Sequence, residues 1–245
     1  MGHCVVKNPA AGGGRWVEVP PERLVTWVVT FAERHGGAAT VQPATTGESG
    51  MAVTFTGADG ATAECHPPFP PLPAPVPGAV RAPAEALAAH AAADRTVGVL
   101  LVRLGGYAAG VFSGSPPRLV DSKTGSRPVH GRSAAGGWSQ QRFARRRENQ
   151  AATALRAAAD AAAEVFGRYG PDRLDAVVLG GDKRSAAGLA GPRADARLEK
   201  YLAKATGRFL TVPDPRLAVL RDIPGAFLAT RIRLTEPESN SPVTG

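Results

Sequence analysis

The residues with the most chemical potential stand between His130 and Gln150, in "HGRSAAGGWSQQRFARRRENQ". Gly136 and Gly137 allow positive φ and close backbone approach, and Ser133, Ala134 and Ala135 keep the segment slim enough to enter a narrow space. Two carboxamides follow, Gln140 and Gln141. An amide has no useful pKa, so neither can serve as a general acid or base. Its two N–H donors and carbonyl oxygen can still orient a water or stabilise a developing oxyanion. Such a group suits a hydrolysis for which a partner supplies the rest of the active site. Behind the glutamines, Arg142, Arg145, Asn149 and Arg156 fall on one helical stripe, with Arg146 beside it. Cations near a helix N-terminus oppose the helix dipole by ~0.3–1 kcal/mol each, and at this spacing they repel one another. A nucleic-acid backbone removes both costs.

Composition agrees with a polyanionic partner. The 245 residues carry 29 Lys+Arg against 21 Asp+Glu, a net charge of +8, and the arginines cluster instead of spreading. With 43% hydrophobic residues the chain can bury a core. Two cysteines, Cys4 and Cys65, make neither a disulfide scaffold nor a Cys-rich zinc site. The start "MGHCVVKNPAAGGGRW" lacks a secretory pattern and no apolar run approaches the ~20 residues of a membrane span. A cytoplasmic protein without a membrane partner is expected.

Other chemistries find less support. The five histidines form no ligand pair, so no metal and no cofactor is expected. His130 reads as a loop anchor or RNA contact. Ser139 lacks the following glycine of a nucleophile elbow. Cys65 and His66 are neighbours in an expected strand and point to opposite faces. The strand beginning at Thr96 has no carboxylate, which leaves Asp121 and Asp182 isolated as metal-nuclease candidates. "LGGDKRSAAGLAGPR" is not a P-loop, although Lys183 and Arg184 stand where a strand hands over to a loop and could touch phosphate.

The elements that must position these residues can be read from periodicity. A break at "CHPPFPPLPAPVPGAVRAP" reads as an extended tether, giving a small α+β module over 1–66, a Pro-rich linker over 67–90, a main domain over 91–235 and a disordered tail over 236–245. In the small module, "PPERLVTWVVTFAERHGG" predicts a helix and "MAVTFTGADGATAEC" two strands about a turn. In the main domain, "TVGVLLVRLGGYAAGVF" predicts a hairpin and "PRLVDSK" a third strand. A helix follows from about Gln140 to Tyr169, with Phe143, Ala151, Leu155, Ala158, Ala162, Val165 and Phe166 as its buried stripe. "LDAVVLGG" reads as a buried central strand, "RADARLEKYLAKATG" as a helix, "RFLTVP" as a strand and "LRDIPGAFLATRIRL" as a turn and last strand. The order is that of an α/β, RNase H-like mixed sheet with flanking helices.

The run "HGR…GG…Q…RFARRR…N", set between a three-strand start and a "VVLGG" strand, resembles the middle domain of eukaryotic and archaeal class I release factors. "GGWSQQ" is closer to the Gly-x-x-Gln of the Vms-like release factors, and in particular to their actinobacterial branch. The resemblance covers roughly Thr96 to Leu234. It implies a peptidyl-tRNA hydrolase that frees nascent chains from stalled large ribosomal subunits, with ribosomal RNA and peptidyl-tRNA as partners, acting as a monomer. By position, Gly137-Trp138-Ser139-Gln140 fits the motif and makes Gln140 the catalytic glutamine, with Gly136 and Gly137 shaping the loop and Gln141 as the other candidate. Trp138, Arg142, Arg145, Arg146 and Arg147 would contact RNA, together with His130, Arg132 and Lys183. No Asn-Ile-Lys-Ser-type element for reading stop codons is present, which favours codon-independent action. The alternatives are a non-catalytic ribosome- or RNA-binding factor using the same arginines, and a hydrolase of free peptidyl-tRNA or a small ester built on Ser139 or His130.

Overall fold

The computed structural model describes residues 8–9, 13–37, 40–46, 50–72, 79–103, 106–126, 139–190 and 195–237, without side chains for 8–9, 40–46, 50–51, 139–151 and 190. The first elements are β1 (Asn8–Pro9), β2 (Arg15–Val19), α1 (Pro21–Arg34), β3 (Thr40–Thr46), β4 (Gly50–Thr56), β5 (Thr62–His66) and α2 (Arg81–Ala92). Then come β6 (Val97–Arg103), β7 (Gly106–Ser113), β8 (Arg118–Ser126), α3 (Ser139–Gly167), β9 (Ala176–Gly181) and α4 (Lys183–Ala190). The chain ends with α5 (Ala196–Leu202), β10 (Ala205–Thr211), α6 (Leu217–Asp222), α7 (Pro224–Leu228) and β11 (Thr230–Thr235). Two compact units result: Met1–Ala93 with Gly225–Gly245, and Asp94–Pro224.

The second unit has the expected layout. Its sheet runs β10-β9-β6-β7-β8. β6, β7 and β8 form an antiparallel meander, and β9 and β10 extend the other side in parallel. Parallel neighbours require crossovers, and the helices α3, α4 and α5 lie in the connections. β6 is buried from Val97 to Val102, as a central strand with both faces covered must be. On α3 the residues Ala158, Ala162, Val165 and Phe166 recur at helical spacing and are fully buried. Gly98 makes room for them: a Cβ there would stand 3.1 Å from the Phe166 ring.

In the first unit, Pro21 opens α1 where its missing N–H costs nothing, and Leu24, Val28, Phe31 and Ala32 turn inward. Gly36 and Gly37, at φ +92° and +83°, end the helix, and the Gly37 N–H donates to Ala32 O at 2.7 Å. β4 and β5 pair antiparallel, and the Ala61 N–H donates to Asp59 Oδ1 in the turn between them.

Three features depart from the sequence reading. The final strand does not close the main-domain sheet. β11 pairs with β2 and β5 in the order β1-β2-β11-β5-β4-β3, so the compact units divide at 93/94 and 224/225 and not at the expected 91 and 235. Period-2 alternation along Thr230–Leu234 identifies a strand and its buried face but says nothing about which sheet receives it. α2 occupies 81–92, largely within the expected linker; its Pro83 sits in the first turn, where a proline is tolerated. α4 forms where the glycines suggested a loop.

Candidate functional site

α3 is the element that carries the expected chemistry, and its C-terminal half is firmly held. The Arg168 guanidinium donates to both Asp121 oxygens, at 2.7 and 2.8 Å, and to Glu164 Oε1 at 3.2 Å. Lys123 pairs with Glu164 on the same face. This ladder ties β8 to the end of α3, so the two elements flanking the 127–138 segment are braced against each other. The Arg168 bond, opposed by partial burial, holds the Asp121 carboxyl below the ordinary carboxylate range, and the Asp121 and Glu164 bonds push the guanidinium further up. Neither the ladder nor its role was anticipated from the sequence, because its partners are up to 47 residues apart.

The sequence-derived site residues divide by where they fall. His130, Arg132, Gly136, Gly137 and Trp138 lie outside the described residues. Gln140, Gln141, Arg142, Arg145, Arg146, Arg147 and Asn149 lie in the helical backbone of α3, and their side chains lie outside the described set. At 1.5 Å per residue, Ser139 stands roughly 24 Å along the helix from Leu155, the first residue of the described apolar stripe. Arg156 is exposed.

Lys183 and Arg184 are exposed in the first turn of α4. The turn into that helix is tightly specified. Gly181 has φ +116°, and a Cβ there would collide with Val102 O. Asp182 then caps the helix: the Ser185 N–H donates to Oδ1 at 2.8 Å and the Ser185 hydroxyl to Oδ2 at 2.7 Å. Burial works to raise the Asp182 carboxyl pKa, but the Ser185 bonds and the Arg103 charge outweigh it and hold the group ionised below its usual range. The Asp-x-x-Ser spacing was the available signal for this cap.

Both isolated acids therefore have structural partners. Asp121 lies on β8 and Asp182 follows β9, three strands away, a lateral separation of about 14 Å at the usual strand spacing. That is too far for one two-metal cage. Among the described residues no group of three or more His, Cys, Asp and Glu could hold a metal ion. Cys65 is buried in the first unit's core, where desolvation pushes its thiol far up; His66 faces the other side of the sheet, 3.2 Å from Glu64. Among the described residues no helix is long and apolar enough to cross a membrane.

Charge separates the two units sharply. Asp94–Pro224 holds 22 Lys+Arg against 12 Asp+Glu, and the remainder of the chain 7 against 9. Between Arg127 and Arg147 six arginines occur with no acidic residue. The chain's positive balance belongs wholly to the unit that carries α3.

Residues 95–233, more than half of the chain, match the family model described as Actinobacteria/chloroflexi VLRF1 release factor. No curated protein matches the chain. Among solved structures, the chain is similar to an archaeal translation termination factor, aRF1, at 14% identity and a TM-score of 0.38, over 87% of this chain and 66% of that one. It is also similar to a structure described as an archaeal protein, at 15% identity and a TM-score of 0.28, over 84% and 62%. The chain thus spans less than two thirds of the length of either.

Proposed function

The chain belongs to the actinobacterial and chloroflexi VLRF1 release factors, and from that premise we propose that it hydrolyses peptidyl-tRNA on stalled large ribosomal subunits without reading a stop codon. The observation that carries this reading is the join between β8 and α3. A segment holding Gly136 and Gly137 leads directly into Gln140, Gln141 and four arginines on a helix braced at its far end by Asp121 and Arg168. The charge distribution supports it, since the unit with these residues is the one suited to a phosphate backbone.

In the proposed reaction, water attacks the carbonyl carbon of the ester joining the peptide to the tRNA 3′ adenosine. The C–O bond to the ribose breaks, the ribose oxygen takes a proton, and the peptide leaves as a carboxylic acid. The Gln140 amide orients the water and donates to the oxygen on which negative charge develops. Gln141 is the alternative amide. Arg142, Arg145, Arg146 and Arg147 hold RNA phosphates; Trp138 stacks on a base; His130, Arg132 and Lys183 add contacts. RNA supplies the remaining walls of the pocket, and the protein acts as a monomer in the cytoplasm.

The test is subunit dependence. Wild-type protein should release the nascent chain from purified stalled large subunits and leave free peptidyl-tRNA intact. Binding without release would favour a non-catalytic ribosome-binding factor. Hydrolysis of free peptidyl-tRNA, lost in Ser139→Ala, would favour a conventional esterase.

A further inference from the structure

The first unit contains a cleft of about 820 Å³ between α1 and the paired strands β2 and β11. Its size is that of a ligand or peptide site. The apolar lining includes Val17, Phe31 and Leu234, with Trp27 half-buried at the side and stacked on Phe31 at 5.9 Å. Arg23 and Arg34 stand exposed along α1 and have no partner among the described residues. Arg15 pairs with Glu236 at 3.1 Å, yet its Nε is buried and accepted by no oxygen among the described residues.

The occupant's chemistry follows from charge and spacing. A continuous phosphate backbone fits poorly, because Glu22 and Glu236 line the same cleft and the unit as a whole has more acids than bases. Two separate anionic groups on an otherwise neutral chain fit well. Arg23 and Arg34 are eleven positions apart on α1, about 16 Å along its axis. An extended segment spans that distance in roughly five residues, and reaches the level of Trp27 after roughly two. Trp and Arg are also the side chains that most often anchor protein interfaces.

We infer that this cleft binds an extended segment of a protein partner, with carboxylates at its first and sixth positions and an apolar side chain at the third, counted from the end beside Arg23. The inference stands apart from the release reaction, since it uses no residue of α3.

The probe is a phage-displayed random dodecapeptide library panned on the full chain and on R23E/R34E. The expected result is enrichment of the acid–apolar–acid pattern on wild type alone. A synthetic peptide of the enriched sequence should bind at least tenfold more weakly to the variant and shift the Trp27 indole N–H resonance. Since both arginines are exposed and have no partner among the described residues, the variant should keep its unfolding midpoint; R23Q/R34Q serves if it does not. Absence of enrichment, equal enrichment on both proteins, or a twelve-nucleotide RNA that displaces the peptide from Trp27 would overturn the inference.

Discussion

The two compact units are built from similar materials, a sheet with helices packed against it, and they differ most in charge. The unit from Asp94 to Pro224 has ten more cations than anions, 22 against 12, while the rest of the chain has 7 against 9. Its described carboxylates largely brace the fold: Asp121 and Glu164 hold Arg168, Asp182 caps α4, and Asp195 caps α5. Meanwhile Arg156, Lys183 and Arg184 stay exposed. A net charge of +8 taken over the whole chain hides this division. One unit carries the whole cationic surplus, and the other a small anionic one.

Equal charge reversals should act unequally in the two units. The largest effect on subunit binding is expected from Arg145→Glu with Arg146→Glu. The pair should weaken binding to large subunits by roughly 10- to 100-fold and lower the slope of log affinity against log salt by about 2. Arg23→Glu with Arg34→Glu reverses as many charges in the other unit and should leave that slope unchanged. Salt titrations of subunit binding check both, and equal slopes for the two variants would break the comparison.

A second pair compares backbone tolerance. Gly181→Ala places a Cβ against Val102 O at a positive φ and should cost about 3 kcal/mol in denaturant unfolding. Gly60→Ala, at φ +87° with nothing within 4 Å, should cost only the left-handed penalty of about 1–2 kcal/mol. The smallest effect is expected from Asp121→Asn, at about 1 kcal/mol or less near neutral pH. Because the folded carboxyl titrates below its ordinary value, its contribution is present above the unfolded pKa and lost as pH falls through the folded one. Unfolding midpoints of wild type and variant should therefore converge in acid. A gap that widened there would exclude the Arg168 pair as its cause.

Periodicity made much of the fold legible. The helix expected from about Gln140 to Tyr169 runs from Ser139 to Gly167, and the apolar run ending in Gly180-Gly181 is a central strand beside β6. Local patterns could not show long-range choices. β11 alternates as a strand would in either sheet, and its pairing with β2 reaches across more than 200 residues. α2 was concealed by neighbouring prolines, and α4 by Gly and Ala, although the Asp182–Ser185 cap marks its start. The candidate site residues were read from residue type, spacing and family resemblance, and they stand as a proposal, since the side chains from His130 to Arg147 lie outside the described residues. The Arg168–Asp121 brace was not legible, because separation along the chain conceals contact in space.

In the proposed reaction a single amide, that of Gln140, completes hydrolysis on the ribosome. Its most direct test is single-turnover release of nascent peptide from purified stalled large subunits by Gln140→Ala beside wild type, with subunit occupancy measured in the same samples. The release rate should fall roughly 100- to 1,000-fold at unchanged occupancy. Release at the wild-type rate from equally occupied subunits would contradict the proposed role.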